Sequence, residues 1–85
     1  MGKKNFYIDY GTGAGNFVFE GTLEEAMKAA DEGINYTQQN VKIFAEDGED
    51  LLAMRSWWGT QADDDDNPEI ISYGDFGYYD AWYVF

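Results

Sequence analysis

The chain contains no cysteine and no histidine among its 85 residues. The first absence excludes disulfide bonds, thiolate catalysis and zinc sites built from cysteine. The second removes the most common general base and the most common transition-metal ligand, so a Ser-His-Asp triad cannot be built. We therefore expect a protein that is not an enzyme and that has no cofactor and no dedicated metal site.

Long apolar runs are also missing from the sequence. No segment approaches the roughly 20 apolar residues of a membrane-spanning helix. Near the N-terminus, Asp9 interrupts the stretch that would have to be apolar in a secretory signal. We expect one domain over residues 1–85 that stays in the cytoplasm (the host cytoplasm, if a phage encodes it) and binds no membrane.

Positive charge is scarce, since five Lys and Arg residues stand against 17 Asp and Glu residues, for a net charge of −12. Residues 1–45 hold six acidic and four basic residues (−2), whereas residues 46–85 hold eleven acidic residues and Arg55 alone (−10). A field of this sign repels nucleic acid and anionic membranes. It attracts basic partners.

One segment, residues 22–33, has the pattern of an amphipathic helix. Thr22 and Glu25 have the spacing of a capping box, and Gly33 stands where helices commonly end in the left-handed conformation. The apolar side of this helix consists of Leu23, Ala26, Met27, Ala30 and, just past its end, Ile34.

The rest of the chain has the pattern of strands and turns. Strands are predicted at 5–10, 16–20, 41–45, 51–57, 70–73 and 78–85. The last of these is apolar on both sides, so we expect a loop, a second copy or a partner to cover its second face. The predicted fold class is α+β: an antiparallel sheet of five to six strands with one amphipathic helix on one face, in the order ββαββββ.

Asp47-Gly48 is the strongest hairpin signal in the chain. A two-residue turn there pairs Glu46 with Glu49, Phe44 with Leu51, Ile43 with Leu52 and Val41 with Met54. The helix-facing side of this hairpin would then carry Val41, Ile43, Leu52 and Met54. The opposite side would carry Phe44, Leu51 and Trp57 around Arg55, where a cation–π contact is expected.

Two motifs come close to known ligand-binding loops. The glycine-rich segment 11–15 lacks the third glycine of a dinucleotide fingerprint, because Asn16 stands there and a strand follows, so we interpret it as a hairpin turn. The run Asp63–Asp66 resembles the start of a calcium loop, but Pro68 and Gly74 stand where that loop requires Gly and Glu. Weak binding of divalent cations by this run stays open.

The acidity itself has two explanations. One is solubility for a small protein rich in aromatic residues. The other is mimicry of nucleic acid: duplex DNA carries a charge per about 1.7 Å, so a net charge of −10 to −12 matches about 20 Å of duplex. A domain of this length is expected to offer a face of about 25–30 Å, which is enough for such competition.

Several segments resemble a group of small uncharacterised proteins from anaerobic bacteria and their phages. They are TLEEAMKAADEG, the YTQQ that follows it, the DG hairpin ending in SWWG, and the closing run YGDFGYY. In size, acidity and lack of enzyme motifs the chain is also similar to phage anti-CRISPR proteins. That likeness implies binding to a basic nucleic-acid channel of another protein, and it assigns no role to any residue.

We therefore expect a non-enzymatic inhibitor that binds the basic nucleic-acid-binding surface of a partner, such as a nuclease, by mimicking nucleic acid. The alternatives are an immunity protein that masks a basic toxin nuclease, and a homodimeric module that pairs through residues 78–85. Trp57 is predicted to be the apolar anchor. The predicted partner-binding residues are Glu46, Asp47, Glu49, Asp50, Trp57, Asp63, Asp64, Asp65, Asp66, Glu69, Asp75 and Asp80.

Overall fold

The computed structural model describes residues 4–12, 15–34, 38–46, 48–63 and 66–85. These residues form one α-helix and two antiparallel sheets, of five and three strands, so the predicted α+β class is confirmed. The helix is α1 (Leu23–Glu32), and a short 3₁₀ helix covers Gly74–Phe76. The strands are β1 (Lys4–Asp9), β2 (Phe17–Gly21), β3 (Val41–Phe44), β4 (Leu51–Arg55), β5 (Trp57–Trp58), β6 (Ile71–Ser72), β7 (Tyr78–Tyr79) and β8 (Tyr83–Val84).

The large sheet has the order β2-β1-β3-β4-β8, and α1 packs against the side of it formed by β1, β2 and β3. The predicted alternation in β1 is confirmed, because Phe6, Ile8 and Tyr10 are all buried. Small side chains bring the helix close to the sheet, since Ala26 and Ala30 have no exposed surface. The core therefore lies between α1 and one face of the large sheet.

The helix begins as predicted and ends differently. The Thr22 hydroxyl accepts a hydrogen bond from the Glu25 amide (3.2 Å), and the Glu25 carboxylate accepts one from the Thr22 amide (2.9 Å). Gly33 has a φ of −99°, so the expected left-handed end is wrong. A glycine is needed there for space instead: the Tyr10 hydroxyl, which donates to the Ala30 carbonyl (2.9 Å), lies where a side chain on Gly33 would begin.

The predicted register between β3 and β4 is correct at its first pair and wrong beyond it. The observed pairs are Phe44–Leu51, Ile43–Ala53, Lys42–Met54 and Val41–Arg55. A β-bulge in β4 adds one residue between the first two pairs, and each later side chain therefore changes face. Leu52 packs against the core as predicted, whereas Ala53 and Arg55, rather than Met54, are the later β4 residues that join the buried side.

The turn before β4 also differs from the prediction. The Ala45 carbonyl accepts from the Gly48 amide (2.8 Å), and the Ala45 amide donates to the Asp50 carbonyl (2.8 Å). The closing pair is therefore Ala45 with Asp50, and the expected pairing of Glu46 with Glu49 is wrong. Gly48, at a φ of 75°, supplies the left-handed residue that this longer turn requires. Asp47 lies outside the described residues.

The predicted strand at 78–85 is divided between the two sheets. β7 is the central strand of the small sheet, whose order is β5-β7-β6, and β8 is an edge of the large sheet. The chain crosses between them at Asp80, whose amide donates to the Ser56 carbonyl (2.8 Å) and whose carboxylate accepts from the Ala81 amide (2.8 Å). Of residues 78–85, Tyr79 is the one that is covered on both sides, since it has no exposed surface. Tyr83, in contrast, is 63% exposed.

Candidate protein-interaction surface

Arg55, which is the only basic residue between positions 46 and 85, is buried at 5% exposure. Its Nη1 donates to the carbonyls of Glu69 (2.9 Å) and Asp80 (3.0 Å), and its Nη2 donates to the Asp31 carboxylate (3.3 Å). Nε lies 3.2 Å from the same carboxylate without forming a well-directed hydrogen bond. A cation–π contact is made with Trp82, whose ring centroid lies 5.4 Å from the guanidinium carbon, and the prediction that placed Arg55 among Phe44, Leu51 and Trp57 on the opposite side is wrong.

Asp31 completes this cluster from the last turn of α1. One of its oxygens accepts from the Trp82 indole (2.9 Å), and the other accepts from Arg55. One buried cation thus joins the end of the helix, the loop that contains Glu69 and the crossing at Asp80. The positive charge of the C-terminal half is held inside the fold, next to a carboxylate from the N-terminal half.

The acidic residues of the C-terminal half lie on the surface. Every described acidic member of the predicted site is exposed: Glu46, Glu49, Asp50, Asp63, Asp66, Glu69, Asp75 and Asp80. Asp47, Asp64 and Asp65 lie outside the described residues. Because Arg55 is buried, no basic side chain of residues 46–85 stands among these carboxylates.

The fold separates these carboxylates into groups at opposite ends of β4. The hairpin group (Glu46, Glu49 and Asp50) precedes its first residue. In the loop group (Asp63, Asp66, Glu69 and Asp80), Glu69 and Asp80 lie beyond its last residue, where Arg55 binds their carbonyls, and Asp63 and Asp66 precede Glu69 in the same loop. A strand of this length spans about 17 Å, so the groups are separate surface features. Asp75 belongs to the 3₁₀ helix, beside Phe76.

Trp57, the predicted anchor, packs within the small sheet. Its ring lies edge-on to Tyr79, with the centroids 4.9 Å apart, and 5.9 Å from Tyr73. Burial, and then the neighbouring Tyr79, raises the pKa of Tyr73. A side chain on Gly77 would collide with the Trp57 ring, so this glycine provides room for it. Trp58, at 51% exposed, presents more surface to a partner.

The other face of the large sheet carries apolar side chains, among them Phe44 and Leu51 as predicted. The pairs Tyr7–Val18, Tyr7–Phe44, Phe44–Leu51 and Met54–Tyr83 run across all five strands of the sheet. Phe85 joins them, since its ring lies 4.9 Å from that of Tyr83. We call Tyr7, Val18, Phe44, Leu51, Met54, Tyr83 and Phe85 the open face.

The signal for the open face was present in the sequence, since Val18 alternates with two phenylalanines in β2. The rest of the open face could not be predicted without the bulge, because the bulge places Met54 on this face and Arg55 on the other. Val18 is 63% exposed, so the face is open to solvent at the β2 edge as well as at β8.

The surface offers binding groups but few reactive ones. Within the described ranges, no three carboxylates lie close enough together to hold a metal ion. The one α-helix that these residues form is too short to cross a membrane. What the arrangement can do chemically is attract a cation-rich surface and bury apolar groups.

Comparison of the chain with protein-family models, with curated proteins and with solved structures gives no match. Any functional assignment therefore rests on the residues and contacts described above.

Proposed function

We propose that the protein is a non-enzymatic inhibitor that binds the basic nucleic-acid-binding surface of a partner protein, such as a nuclease, in the place of nucleic acid. The burial of Arg55 carries this proposal. An exposed arginine would partly neutralise the carboxylates around it, whereas the described carboxylates of residues 46–85 are exposed and Arg55 is buried.

The dimensions of the molecule narrow the kind of nucleic acid that is imitated. The molecule measures 42 × 25 × 20 Å, longer than the face assumed from chain length. A net charge of −12 spread over 42 Å is one charge per about 3.5 Å. One DNA strand has a charge per about 3.4 Å and the duplex one per about 1.7 Å. Averaged over the whole length, this density is closer to that of a single strand, and we propose competition at a groove that follows one strand.

The two acidic groups act as separate contacts under physiological conditions. Their separation of about 17 Å exceeds the Debye length of about 8 Å at 0.15 M salt. Each group therefore attracts its own part of the basic groove, and both increase the rate of association.

The proposal is tested by adding the purified protein to a panel of CRISPR effectors and toxin nucleases and measuring displacement of labelled single-stranded DNA. Displacement should weaken steeply between about 50 and 500 mM salt. The double variants Glu46→Gln/Glu49→Gln and Asp66→Asn/Glu69→Gln should each weaken it about three- to tenfold.

Glu24→Gln/Glu32→Gln is the matched control, because it removes the same charge from exposed positions on α1. It should change displacement by less than about twofold. Displacement that is independent of salt, or equal losses in all three double variants, would contradict the proposed charge mechanism. Absence of displacement across the whole panel would remove the proposed function for these partners.

A further inference from the structure

The open face is an apolar surface on which no other described element packs. Its two borders are the most exposed parts, with Val18 and Tyr83 each at 63% and Phe85 at 62%. Five strands at about 4.8 Å spacing make this face about 19 Å wide. Apolar rows of this width on a protein surface mark interaction sites.

Negative charge borders this face at the hairpin end. Glu20 lies on it opposite Asn5, and the Asn5 amide donates to the Glu46 carboxylate (3.4 Å), which joins the face to the hairpin group. The described cation on the face is Lys42, which stands opposite Asp9 in the neighbouring strand and is offset by it. At the hairpin end, Glu20, Glu46, Glu49 and Asp50 outnumber Lys4, which lines a neighbouring cleft with Glu46, so the net charge of this border is negative.

A second copy of the chain is a poor occupant for this face. A strand of five residues is about 17 Å long, so the flat area is at most roughly 320 Å², because β8 has only two residues. A stable interface buries about 800 Å² on each partner, so the face needs its acidic border to contribute. Two copies would place these borders against each other with −12 on each chain. A partner with positive charge gains from the same border.

We infer that the open face docks an amphipathic basic strand or hairpin of the partner, in which apolar side chains alternate with lysine or arginine. The inference rests on the proposed function for the sign of the partner's charge, and it adds where and how the partner binds. The apolar side chains of the strand cover the row between Val18 and Tyr83. Its cations reach the acidic border, so the hairpin group contacts the docked strand and the loop group contacts a separate part of the partner.

A cleft at the hairpin end has the shape and chemistry for one of these cations. It is an open depression of about 420 Å³, lined by Tyr7 and Val18 on its apolar side and by Asn5, Glu46 and Gly48 on the other. A lysine or arginine can lay its methylene groups on Tyr7 and Val18 and direct its charged end to the Glu46 carboxylate. A strand with only apolar side chains would use the Tyr7 and Val18 side of the cleft, and a strand with only charged groups would use the Glu46 side.

The inference is tested with two synthetic peptides that contain the same number of lysines, alternating with leucine in one and with serine in the other. Binding to the full chain is measured by fluorescence anisotropy, and the contact surface is mapped by changes in backbone amide NMR shifts. The leucine peptide should bind about tenfold more tightly, with shift changes centred on β1, β2 and β3. The Val18→Ser/Tyr83→Ser variant should abolish this difference.

Phe76→Ser is the matched control, since Phe76 is 72% exposed but belongs to the 3₁₀ helix away from the open face. It should keep the tenfold difference. Equal binding of the two peptides, with the salt dependence retained, would overturn the open-face inference and leave the charge-based function standing. If neither peptide binds, both are overturned. A dimer at micromolar concentration in sedimentation experiments, lost in Val18→Ser/Tyr83→Ser, would also overturn the inference in favour of a second copy.

Discussion

Replacing Arg55 with methionine should cost about 3 kcal/mol of folding free energy. The change removes three hydrogen bonds from a charged group, the attraction to Asp31 and the contact with Trp82. Loss of one partner of a buried ion pair typically costs 3–5 kcal/mol, and the lower end applies because the Asp31 side chain is 36% exposed and regains water. The total stability expected for 85 residues is about 4–13 kcal/mol, so this loss is a large part of it.

Urea denaturation followed by tryptophan fluorescence and by circular dichroism measures this loss, and the melting temperature should fall by roughly 12–24 °C. Asp31→Asn is the companion variant, because it keeps an oxygen acceptor for the Trp82 indole and removes only the charge. It should cost about 1–2 kcal/mol, and the double variant should show coupling of at least about 1 kcal/mol between the positions. A loss below about 1 kcal/mol for Arg55→Met would refute the reasoning, since it would mean that the guanidinium is solvated.

Three further outcomes test the first half of the fold. Thr22→Ala should lose about 1 kcal/mol of stability in urea denaturation, because it removes the N-terminal cap of α1. Gly33→Ala should lose about 1–3 kcal/mol, because its methyl group meets the Tyr10 hydroxyl, and Gly33→Ala/Tyr10→Phe should recover part of that loss. Burial, and then Asp31, raises the pKa of Tyr10 above the ordinary 10.0. The contribution of the protonated Tyr10 hydroxyl to the folding free energy is therefore complete below pH 10 and is lost as the pH rises through the folded pKa. The stability of Tyr10→Phe, measured from pH 9 to 12, should therefore fall less steeply than that of the wild type, whereas equal slopes would contradict this assignment.

The local parts of the fold could be predicted from the sequence. The capping box at Thr22 and the alternation of Phe6, Ile8 and Tyr10 each depend on neighbouring residues alone, and the structure confirms them. The role of Gly33 could not be predicted in the same way, because it is set by Tyr10, more than 20 positions away. Composition at a helix end indicates a glycine but not whether conformation or space requires it.

The bulge in β4 caused the main errors in the second half. Successive side chains of a strand alternate between the two faces of the sheet, so one extra residue transfers every later side chain to the other face. Arg55 was placed outside for that reason, and its burial depends on partners from three distant segments: Asp31, Glu69 and Asp80. No local pattern around Arg55 contains those partners, although an arginine alone among eleven acids was a signal that it serves the fold.

The position of that one cation connects the fold to the proposed interaction. A buried guanidinium holds the loop group, the crossing at Asp80 and the end of α1 together while adding no positive charge to the surface. The same bulge that turns Arg55 inward turns Met54 outward, where it lies between Lys42 and Tyr83 on the open face. One inserted residue in β4 therefore has two consequences. It keeps Arg55 out of the acidic surface, and it places Met54 beside Tyr83 on the opposite face of the sheet, and a basic amphipathic partner would need both properties.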